Sequence, residues 1–513
     1  MAVPKLRLQL VDAFADDIPL DDPRADAEAL HLEGVAHQAA GRFDQARTAY
    51  ERVLALVPEA AVTRSNLGNV LRSQGKLIDA IAAHHAALNC DPNYAKGWVN
   101  LALTLEDAGE IDAALTAARR ASTLAPNDPD IRHALGNIEL AAGHPEIAVE
   151  NFLMTLQANP RHGRALLNLA VALKEAGAMT AGTTALETLI AFEPDNADAH
   201  FNLALNLLSG NEWAQGFAAY EWRLRIPGLR PRLPASPRWD GTVQLNATLF
   251  LIAEQGLGDT FQFLRFVREA RTRVARIAIA TQAPLVALLK QTPGIDEVID
   301  LNTRPPTHDV HLPLMSLPFA LGIATDAELM VRPWIATNSE RERRWEQWLD
   351  QTIPAKNLRV GIAWRGNPDY RKDATRSLAL HHFAALARVP GLSLVSLQKG
   401  PGENEIQALT GTVPVIVPPD LDRDGAFLDT AALLQSLDLV VASDSALAHL
   451  AGTLGRPTWL LLSHRPDWRW GNDSTGTPWY SSMTLLRQPA PGDWDSVFNH
   501  AASSVAALIG ATP

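Results

Sequence analysis

The sequence predicts two architectures in one chain: a solenoid of paired helices, followed by an α/β region with two doubly wound halves. Two observations carry this prediction. In the first part, prolines recur every 34 residues, at Pro58, Pro92, Pro126, Pro160 and Pro194. After Trp239, short apolar segments alternate with amphipathic ones, which is typical of the strands and helices of α/β proteins.

The helical repeat has two further landmarks. Glycines stand 17 residues before the prolines, where one helix must turn into the next, at Gly41, Gly75, Gly109, Gly143 and Gly177. Small residues that let paired helices pack closely recur at Gly34, Gly68, Ala102, Gly136, Ala170 and Ala204. This pattern resembles the tetratricopeptide repeat (TPR), whose units must stack because one unit cannot bury its apolar stripe alone. We divide the units as 27–60, 61–94, 95–128, 129–162 and 163–196, with an incomplete sixth at 197–226.

Five regions follow from this division. An acidic lead-in (1–26), expected to be loosely ordered, precedes the solenoid (27–226), a Pro/Arg linker (227–240) and two α/β halves (241–338 and 339–513). The sixth repeat carries Trp213, Phe217, Tyr220 and Trp222, which suits a unit that caps the stack or docks on another domain. The arginines at 223, 225, 230, 232 and 238 can bind phosphate or pair with acidic surface, and we favour pairing.

Composition excludes several classes of function. A formal net charge of -12 argues against general nucleic-acid binding, which needs a basic surface. A single cysteine, Cys90, cannot form an internal disulfide and is expected to be a buried apolar filler in a reducing compartment. We find no signal pattern and no apolar run of membrane-spanning length, so we expect a soluble cytoplasmic protein without a membrane partner.

The α/β halves place candidate site residues in the loops that follow their strands. Predicted strands span 247–255, 276–281, 296–300 and 309–314 in the first half, and 358–364, 392–398, 413–419, 437–443 and 458–462 in the second. A charged helix near 339–351 separates the halves, which implies a cleft between them. Ligands of doubly wound sheets bind at the carboxyl ends of the strands, so those loops are the candidate site.

The loop after the first strand contains Gly256, Gly258 and Asp259. Two glycines let the backbone turn sharply, and Asp259 stands near a helix start facing the expected cleft. A carboxylate there can act as a general base that removes a proton from an acceptor hydroxyl. The alternative is a helix cap, and from spacing alone the cap is favoured.

Three strand ends in the second half carry groups that suit phosphate. Ser445 follows Asp444 at a helix start that offers free N–H groups, with His449 one turn further along. The alternatives are an N-cap and a core histidine. Gln398 and Lys399 end another strand, and a basic loop containing Arg365 and Arg376 follows the first strand of this half. The occurrence of phosphate-compatible groups at three strand ends of one half is stronger evidence for a phosphate site than any one of these motifs.

These motifs together resemble a known enzyme family. Residues 254–266 (EQGLGDTFQFLRF) and 443–457 (SDSALAHLAGTLGRP) resemble bacterial heptosyltransferase-like enzymes, which have the GT-B fold. The resemblance implies that Asp259 is the base and that Asp444, Ser445 and His449 bind the donor; we add Gly256, Gly258, Arg365, Arg376, Gln398 and Lys399 to the donor site. The whole chain, including residues 468–494, resembles bacterial TPR-containing glycosyltransferases, a group that includes flagellin-modifying enzymes.

The repeats predict a polypeptide partner. Position six of four units holds asparagine, at Asn66, Asn100, Asn168 and Asn202. Asparagine both donates and accepts, so a row of them on the groove-lining helices can hold an extended peptide backbone. A similar row is a feature of eukaryotic O-GlcNAc transferases. The alternative is that asparagine fills a tolerant, half-exposed helix position, and we favour peptide binding.

Two further signals are set aside. Asp422-Arg423-Asp424 looks like a metal-binding Asp-x-Asp, but in a GT-B chain a solvated turn is favoured, and no metal site is expected. The tail aromatics Trp468, Trp470, Trp479, Tyr480 and Trp494 can stack on a sugar or base, and we favour packing across a domain seam.

The function predicted from the sequence is glycosyl transfer from a nucleotide-sugar, as co-substrate and without another cofactor, to a Ser or Thr hydroxyl of a protein in the TPR groove. Flagellin is one candidate acceptor. The alternatives are an inactive TPR adaptor and a heptosyltransferase-like enzyme that acts on a glycan.

Overall fold

The computed structural model describes residues 23–330, 334–369, 373–423, 427–471 and 474–510. The chain divides into two compact units, residues 1–194 and 195–513. Residues 1–22, most of the predicted lead-in, lie outside the described ranges, as does Asp424. The domain boundaries predicted above stay predictions.

Unit 1 contains five helix pairs, which confirms the TPR expectation for this part of the chain. The pairs are α1 (Pro23–Ala39) with α2 (Phe43–Leu56), α3 (Ala61–Ser73) with α4 (Leu77–Cys90), α5 (Ala95–Asp107) with α6 (Ile111–Leu124), α7 (Pro129–Ala141) with α8 (Pro145–Ala158), and α9 (Gly163–Glu175) with α10 (Met179–Phe192). The five turn glycines all have positive φ, between 71° and 85°, a conformation that favours glycine. The repeat therefore arises from a backbone requirement at each turn.

Residue size is matched inside each helix pair. A Cβ on Gly34, Gly68 or Gly136 would lie 2.4–2.6 Å from an aromatic ring on the second helix of its pair, namely Tyr50, His84 or Phe152. In the other two pairs of unit 1, position eight is alanine and the residue sixteen positions later is not aromatic: Ala118 for Ala102 and Leu186 for Ala170. Glycine on one helix thus makes room for a ring on the other. Cys90, at the end of α4, is half-exposed, so the expectation of a buried filler is wrong.

Unit 2 begins with a sixth helix pair, α11 (Ala197–Ser209) and α12 (Trp213–Tyr220). Its aromatic residues pack against the tail, as Trp213 meets Trp479 edge-on at 5.6 Å and Tyr220 lies 6.1 Å from Trp468, centroid to centroid. The Trp213 indole N–H also donates to Asp326 Oδ1 at 2.6 Å. Docking of the terminal pair and seam packing by Trp468 and Trp479 are both confirmed.

Three of the five arginines after α12 pair with carboxylates, as favoured above. Arg223 is fully buried and contacts Glu254 at 2.9 Å, while Arg225 contacts Asp195 at 3.2 Å. Arg238 pairs with Glu221. The buried Arg223–Glu254 pair fixes the end of the first strand, directly before the loop that carries Asp259.

The first α/β half is a four-stranded parallel sheet. Its strands are β1 (Gln244–Ile252), β2 (Val274–Thr281), β3 (Glu297–Asp300) and β4 (Val310–Pro313), in the order β3-β2-β1-β4. The helices of this half are α13 (Leu257–Phe263), α14 (Val267–Ala270), α15 (Ala283–Leu289), α16 (Leu317–Leu321) and α17 (Asp326–Leu329). The strand order reverses between β1 and β4, and the Asp259 loop leaves the sheet at that point.

The second half is a six-stranded parallel sheet, in the order β10-β9-β8-β5-β6-β7. Its elements are α18 (Ser339–Thr352), β5 (Leu358–Ala363), α19 (Asp373–Arg376), α20 (Ala384–Ala387), β6 (Leu392–Ser396), α21 (Glu403–Ala408), β7 (Val415–Ile416), α22 (Leu428–Gln435), β8 (Leu439–Ser443), α23 (Ala446–Thr453), β9 (Thr458–Leu462), β10 (Met483–Arg487) and α24 (Trp494–Gly510). Strand β10 was not predicted. Here the order reverses between β5 and β8, whose ends carry Arg365 and Asp444. The architecture is consistent with a GT-B region.

A search for membrane spans across the described part of the chain finds no helix with the length and apolarity that a crossing requires.

Candidate functional site

The loop after β1 holds Asp259 in a fixed orientation. Gln255 adopts positive φ (55°), which is uncommon for a side chain larger than glycine. Gly256 precedes the first turn of α13, and its N–H donates to Asp259 Oδ2 at 2.9 Å. Asp259 therefore makes the contact expected of a helix cap, while its role as a base stays a prediction.

Arg469 binds the other oxygen of Asp259. One guanidinium nitrogen of Arg469 donates to Asp259 Oδ1, Nη1 donates to Asp467 Oδ1 at 2.6 Å, and Nε donates to Gln262 Oε1 at 2.5 Å. The Arg469 side chain is only 9% exposed. The sequence analysis did not identify Arg469 and Asp467 as site residues. The signal that could have indicated them is the pair of opposite charges beside tryptophans in the segment Asp467-Trp468-Arg469-Trp470.

Burial and charge act in opposite directions on Asp259. Burial raises the pKa of the Asp259 carboxyl, and the Arg469 guanidinium partly offsets that increase because it favours the ionised form. The Asp467 carboxylate raises the pKa of Asp259 further, and Arg376 lowers it. A buried carboxyl whose pKa is set by burial and by several charged neighbours is a candidate for a functional site.

The loop after β8 brings a second carboxyl to the same place. Burial is the main cause that raises the pKa of Asp444 to about 6, and the nearby Asp467 carboxylate raises it further. The positive charges of Arg376 and Arg469 act in the opposite direction and lower the pKa of Asp444. Asp444 and Asp259 thus share three charged neighbours, although they come from different halves. In the part of the chain that is described, two buried hydroxyls at this loop lack a hydrogen-bond partner: Ser443 Oγ and Ser445 Oγ.

His449 lies inside the contact between α13 and α23. Its Nδ1 lies 2.9 Å from the Tyr480 hydroxyl, and burial lowers the pKa of His449 to about 3. A Cβ on Gly258 would come within 2.8 Å of His449 Cδ2, so a side chain there would push α13 and α23 apart. These contacts fit a core histidine, and donor binding by His449 and Gly258 stays a prediction.

Gln398 ties two strand ends together. Its Oε1 accepts from the backbone N–H groups of Trp364 and Arg365, both at 2.9 Å, and its Nε2 donates to Pro401 O at 2.9 Å. These bonds shape the loops after β5 and β6. They give Gln398 a structural role, whether or not it also binds donor.

The three predicted cations lie in different surroundings. Lys399 Nζ donates to Leu421 O at 2.8 Å, and Arg365 Nε contacts Glu405 Oε1 at 2.5 Å. Arg376 pairs with Asp373 at 3.1 Å. Its charge also lowers the pKa of Asp259, Asp444 and His449, so Arg376 belongs to their cluster.

Asp422 is not in a solvated turn, so that expectation is corrected. It is only 8% exposed, and its carboxylate accepts from the N–H groups of Asp429 and Thr430 at 2.9 and 3.1 Å. Asp422 thus caps α22, because those groups belong to its first turn. Within the described ranges, no group of three His, Cys, Asp or Glu side chains is arranged to hold a metal.

The position-six asparagines are half-exposed on the first helix of their pairs. Asn100 Nδ2 donates to Ser65 Oγ at 2.9 Å, and Asn168 Nδ2 donates to Asn137 Oδ1 at 2.7 Å, so both connect neighbouring repeats. Asn202 donates to Asp198 O within its own helix at 2.9 Å. Burial raises the pKa of Tyr50 to about 12, and a side-chain hydrogen bond with Asn66 partly offsets that rise. The bonds between repeats support the structural alternative for Asn100 and Asn168, although each amide keeps further capacity.

Comparisons with known proteins agree with the division into repeats and α/β region. Profiles of the tetratricopeptide repeat match residues 31–95, 95–138 and 133–183. The profile of glycosyltransferase family 9 (heptosyltransferase) matches residues 414–489, which include Asp444, His449 and Arg469 but not Asp259.

Similar proteins include Protein FlbA of Caulobacter vibrioides, 24% identical over 512 residues that cover 93% of this chain and 84% of FlbA. Protein O-mannosyl-transferase TMTC3 of Homo sapiens is 26% identical over 145 residues, 27% of this chain but only 16% of that protein. The crystal structure of MamA protein is 24% identical, with a TM-score of 0.29, and the match covers 33% of this chain and 93% of MamA. Taken together, the matches support a TPR-containing glycosyltransferase.

Proposed function

We propose that this protein is a GT-B glycosyltransferase that moves a sugar from a nucleotide-sugar to a Ser or Thr hydroxyl of a protein acceptor. The TPR repeats hold the acceptor polypeptide, and flagellin is one candidate. The family 9 match supports glycosyl transfer, and the repeats support a peptide or protein partner. The name of the similar human protein, a protein O-mannosyl-transferase, supports a protein as acceptor.

One observation carries the proposal: the loops at the two points of strand-order reversal converge. Asp259 follows β1 and Asp444 follows β8, and both are influenced by Arg376 and Arg469. Beside them, Ser443 Oγ and Ser445 Oγ are buried without a partner among the described residues. Buried polar groups are normally hydrogen-bonded, so unpaired ones beside a helix start suit a polar ligand such as a sugar diphosphate.

The proposed reaction uses these groups in one displacement. Asp259 accepts the proton of the acceptor hydroxyl, and the freed oxygen pair forms a bond to the anomeric carbon of the sugar. The bond from that carbon to the phosphate oxygen breaks, and its electron pair leaves with the nucleotide. Arg376, Arg469 and the start of α23 stabilise the departing charge, so no metal is required.

Nucleotide binding and transfer test the proposal together. Thermal unfolding is measured with UDP, GDP, ADP or CMP, and transfer of labelled sugar to flagellin or to another polypeptide follows with the matching donor. A nucleotide at a hundred times its Kd should stabilise the protein by about 2.7 kcal/mol. Failure of all four nucleotides to shift unfolding, together with no transfer, would overturn the proposal.

Two other functions have specific support. Both oxygens of Asp259 are already bound, and the Gln398 amide is fully engaged, as expected of an adaptor with an inactive transferase region. The adaptor would bind protein without binding nucleotide. The family 9 match favours a heptosyltransferase-like enzyme that acts on a glycan, which would bind nucleotide but leave polypeptides unmodified.

A further inference from the structure

We propose that Arg469 is the positioning residue for Asp259, and that its contact across the two α/β halves keeps the carboxylate ionised and aimed. This inference rests on the proposed function, because it assigns Asp259 the role of base. It concerns a residue outside the motifs that predicted the site.

The geometry of the guanidinium carries the inference. Arg469 follows β9 in the second half, yet two of its donors reach α13 of the first half, at Asp259 and Gln262. A third donor is held by Asp467 at 2.6 Å, and the guanidinium carbon lies 4.4 Å from the centre of the Trp468 ring. A cation fixed by three hydrogen bonds and an aromatic face has little freedom, so it defines where Asp259 Oδ1 lies.

Charge supports the same assignment. The titratable and charged groups around Asp259 come from four places: Tyr220 on α12, Arg376 on α19, Asp467 and Arg469 after β9, and Asp444 and His449 at α23. Both histidine and tyrosine are neutral at pH 7, because burial lowers the pKa of His449 to about 3 and raises that of Tyr220 to about 12. Arg469 and Arg376 therefore face four carboxyls, because Arg376 also pairs with Asp373. Removing Arg469 would leave Asp259 beside Asp467 without its bound cation.

The test compares pH profiles of transfer in two variants with opposite effects. Arg469→Gln should lower kcat about 10- to 100-fold at neutral pH and move the acidic limb of the profile to higher pH. Asp467→Asn removes a carboxylate that raises the pKa of Asp259, so its acidic limb should move to lower pH. Arg469→Lys keeps the charge and should keep the acidic limb near its wild-type position, with a lower kcat because one ammonium cannot make all three contacts.

A matched control is Arg423→Gln, which removes a guanidinium from a side chain that is 81% exposed in the same half. Nucleotide binding, measured by thermal shift, should persist in all variants. Acidic limbs that coincide with wild type in both Arg469→Gln and Asp467→Asn would overturn the inference and leave the proposed function standing. If Arg469→Gln does not fold, the position of the acidic limb in the other two variants tests the inference. A shift to lower pH in Asp467→Asn with no shift in Arg469→Lys supports it, and an unshifted limb in Asp467→Asn overturns it.

A wild-type protein that transfers no sugar would instead refute the proposed function. The contact itself is then tested by a double-mutant cycle in unfolding free energy with Asp259→Asn, Arg469→Gln and their combination. Coupling that increases as pH rises and Asp259 ionises would support the charge contact. Coupling that does not change with pH would overturn it.

Discussion

Asp259 and Asp422 both lie near helix starts, and their partners separate their roles. Asp422 is buried against backbone N–H groups of α22, so its hydrogen-bonding capacity serves the fold. Asp259 contacts one backbone N–H and one buried cation, which leaves lone pairs on both oxygens for a further donor. We therefore expect Asp259, and not Asp422, to accept the proton of a substrate hydroxyl.

The first prediction is that Asp259→Asn lowers turnover about 10²- to 10⁴-fold while nucleotide binding persists, because the amide keeps the shape but cannot accept the proton. Initial rates and thermal shift with the matching nucleotide measure the two effects. Transfer at the wild-type rate would reduce Asp259 to a helix cap.

The second prediction concerns Asp422 and metal. Transfer should persist in EDTA, since the phosphate charge is expected to meet arginines and a helix start. Asp422→Asn should lower the unfolding free energy by about 1–3 kcal/mol, through weaker bonds to the first turn of α22. Rates lost in EDTA and restored by Mg²⁺ or Mn²⁺ would contradict this view.

Among the secondary-structure elements, the helix pairs were predictable from sequence periodicity, and strand β10 was not. The helix pairs were predictable because each turn needs a residue at positive φ, which is glycine in the five pairs of unit 1 and Asn211 in the sixth pair. Strand β10 was missed, because five residues at the edge of a sheet follow a long irregular tail. The Asp259–Arg469 contact joins residues 210 positions apart, and no local pattern encodes such a pairing.

A third prediction follows from size matching within the helix pairs. Gly136→Ala places a Cβ about 2.6 Å from Phe152, so overpacking should destabilise the repeats by about 1–3 kcal/mol. Adding Phe152→Leu should restore stability, since Ala170 with Leu186 already forms this combination in the chain. Denaturant unfolding of the single and double variants tests it; a double variant no more stable than Gly136→Ala would contradict the size rule.

A fourth prediction concerns His84, which fills the aromatic position opposite Gly68. Burial lowers the pKa of His84 to about 4, so the folded protein disfavours its protonated form. Above pH 6.5 the residue is neutral in both states. Between pH 6.5 and about 4, His84 binds a proton in the unfolded chain but not in the folded chain. The free energy of unfolding therefore falls by up to about 3 kcal/mol over this range, and below about pH 4 His84 causes no further change.

His84→Phe should remove this part of the acid sensitivity, because Phe152 already occupies the equivalent position against a glycine. Unfolding free energies of wild type and variant, measured from pH 7.5 to 4, give the difference. Parallel curves would show that His84 does not titrate as described.

At the scale of the whole molecule, the question is whether the repeats select the acceptor for the transferase region. From the sequence, we predicted that the position-six asparagines bind the acceptor peptide. In the structure, two of them also form hydrogen bonds between neighbouring repeats. Asn100 Nδ2 has one partner in a neighbouring repeat and Asn168 Nδ2 has two, Asn137 Oδ1 and His133 Nε2, so part of their capacity already stabilises the stack. Their Oδ1 atoms accept no hydrogen bond from the described residues and suit the N–H groups of a peptide backbone.

The last prediction separates these roles. Changing Asn66, Asn100, Asn168 and Asn202 to alanine should raise KM for a protein acceptor while kcat and nucleotide binding stay near wild type, because hydrogen bonds to the peptide backbone that do not change during the reaction are equally strong in the ground and transition states. At about 0.5–1.5 kcal/mol for each lost hydrogen bond, the combined loss is on the order of 2–6 kcal/mol. Asn93→Ala with Asn127→Ala, at exposed turn positions, is the matched control. If the quadruple variant loses stability and keeps its KM, the asparagines serve only the stack, and the acceptor must bind elsewhere.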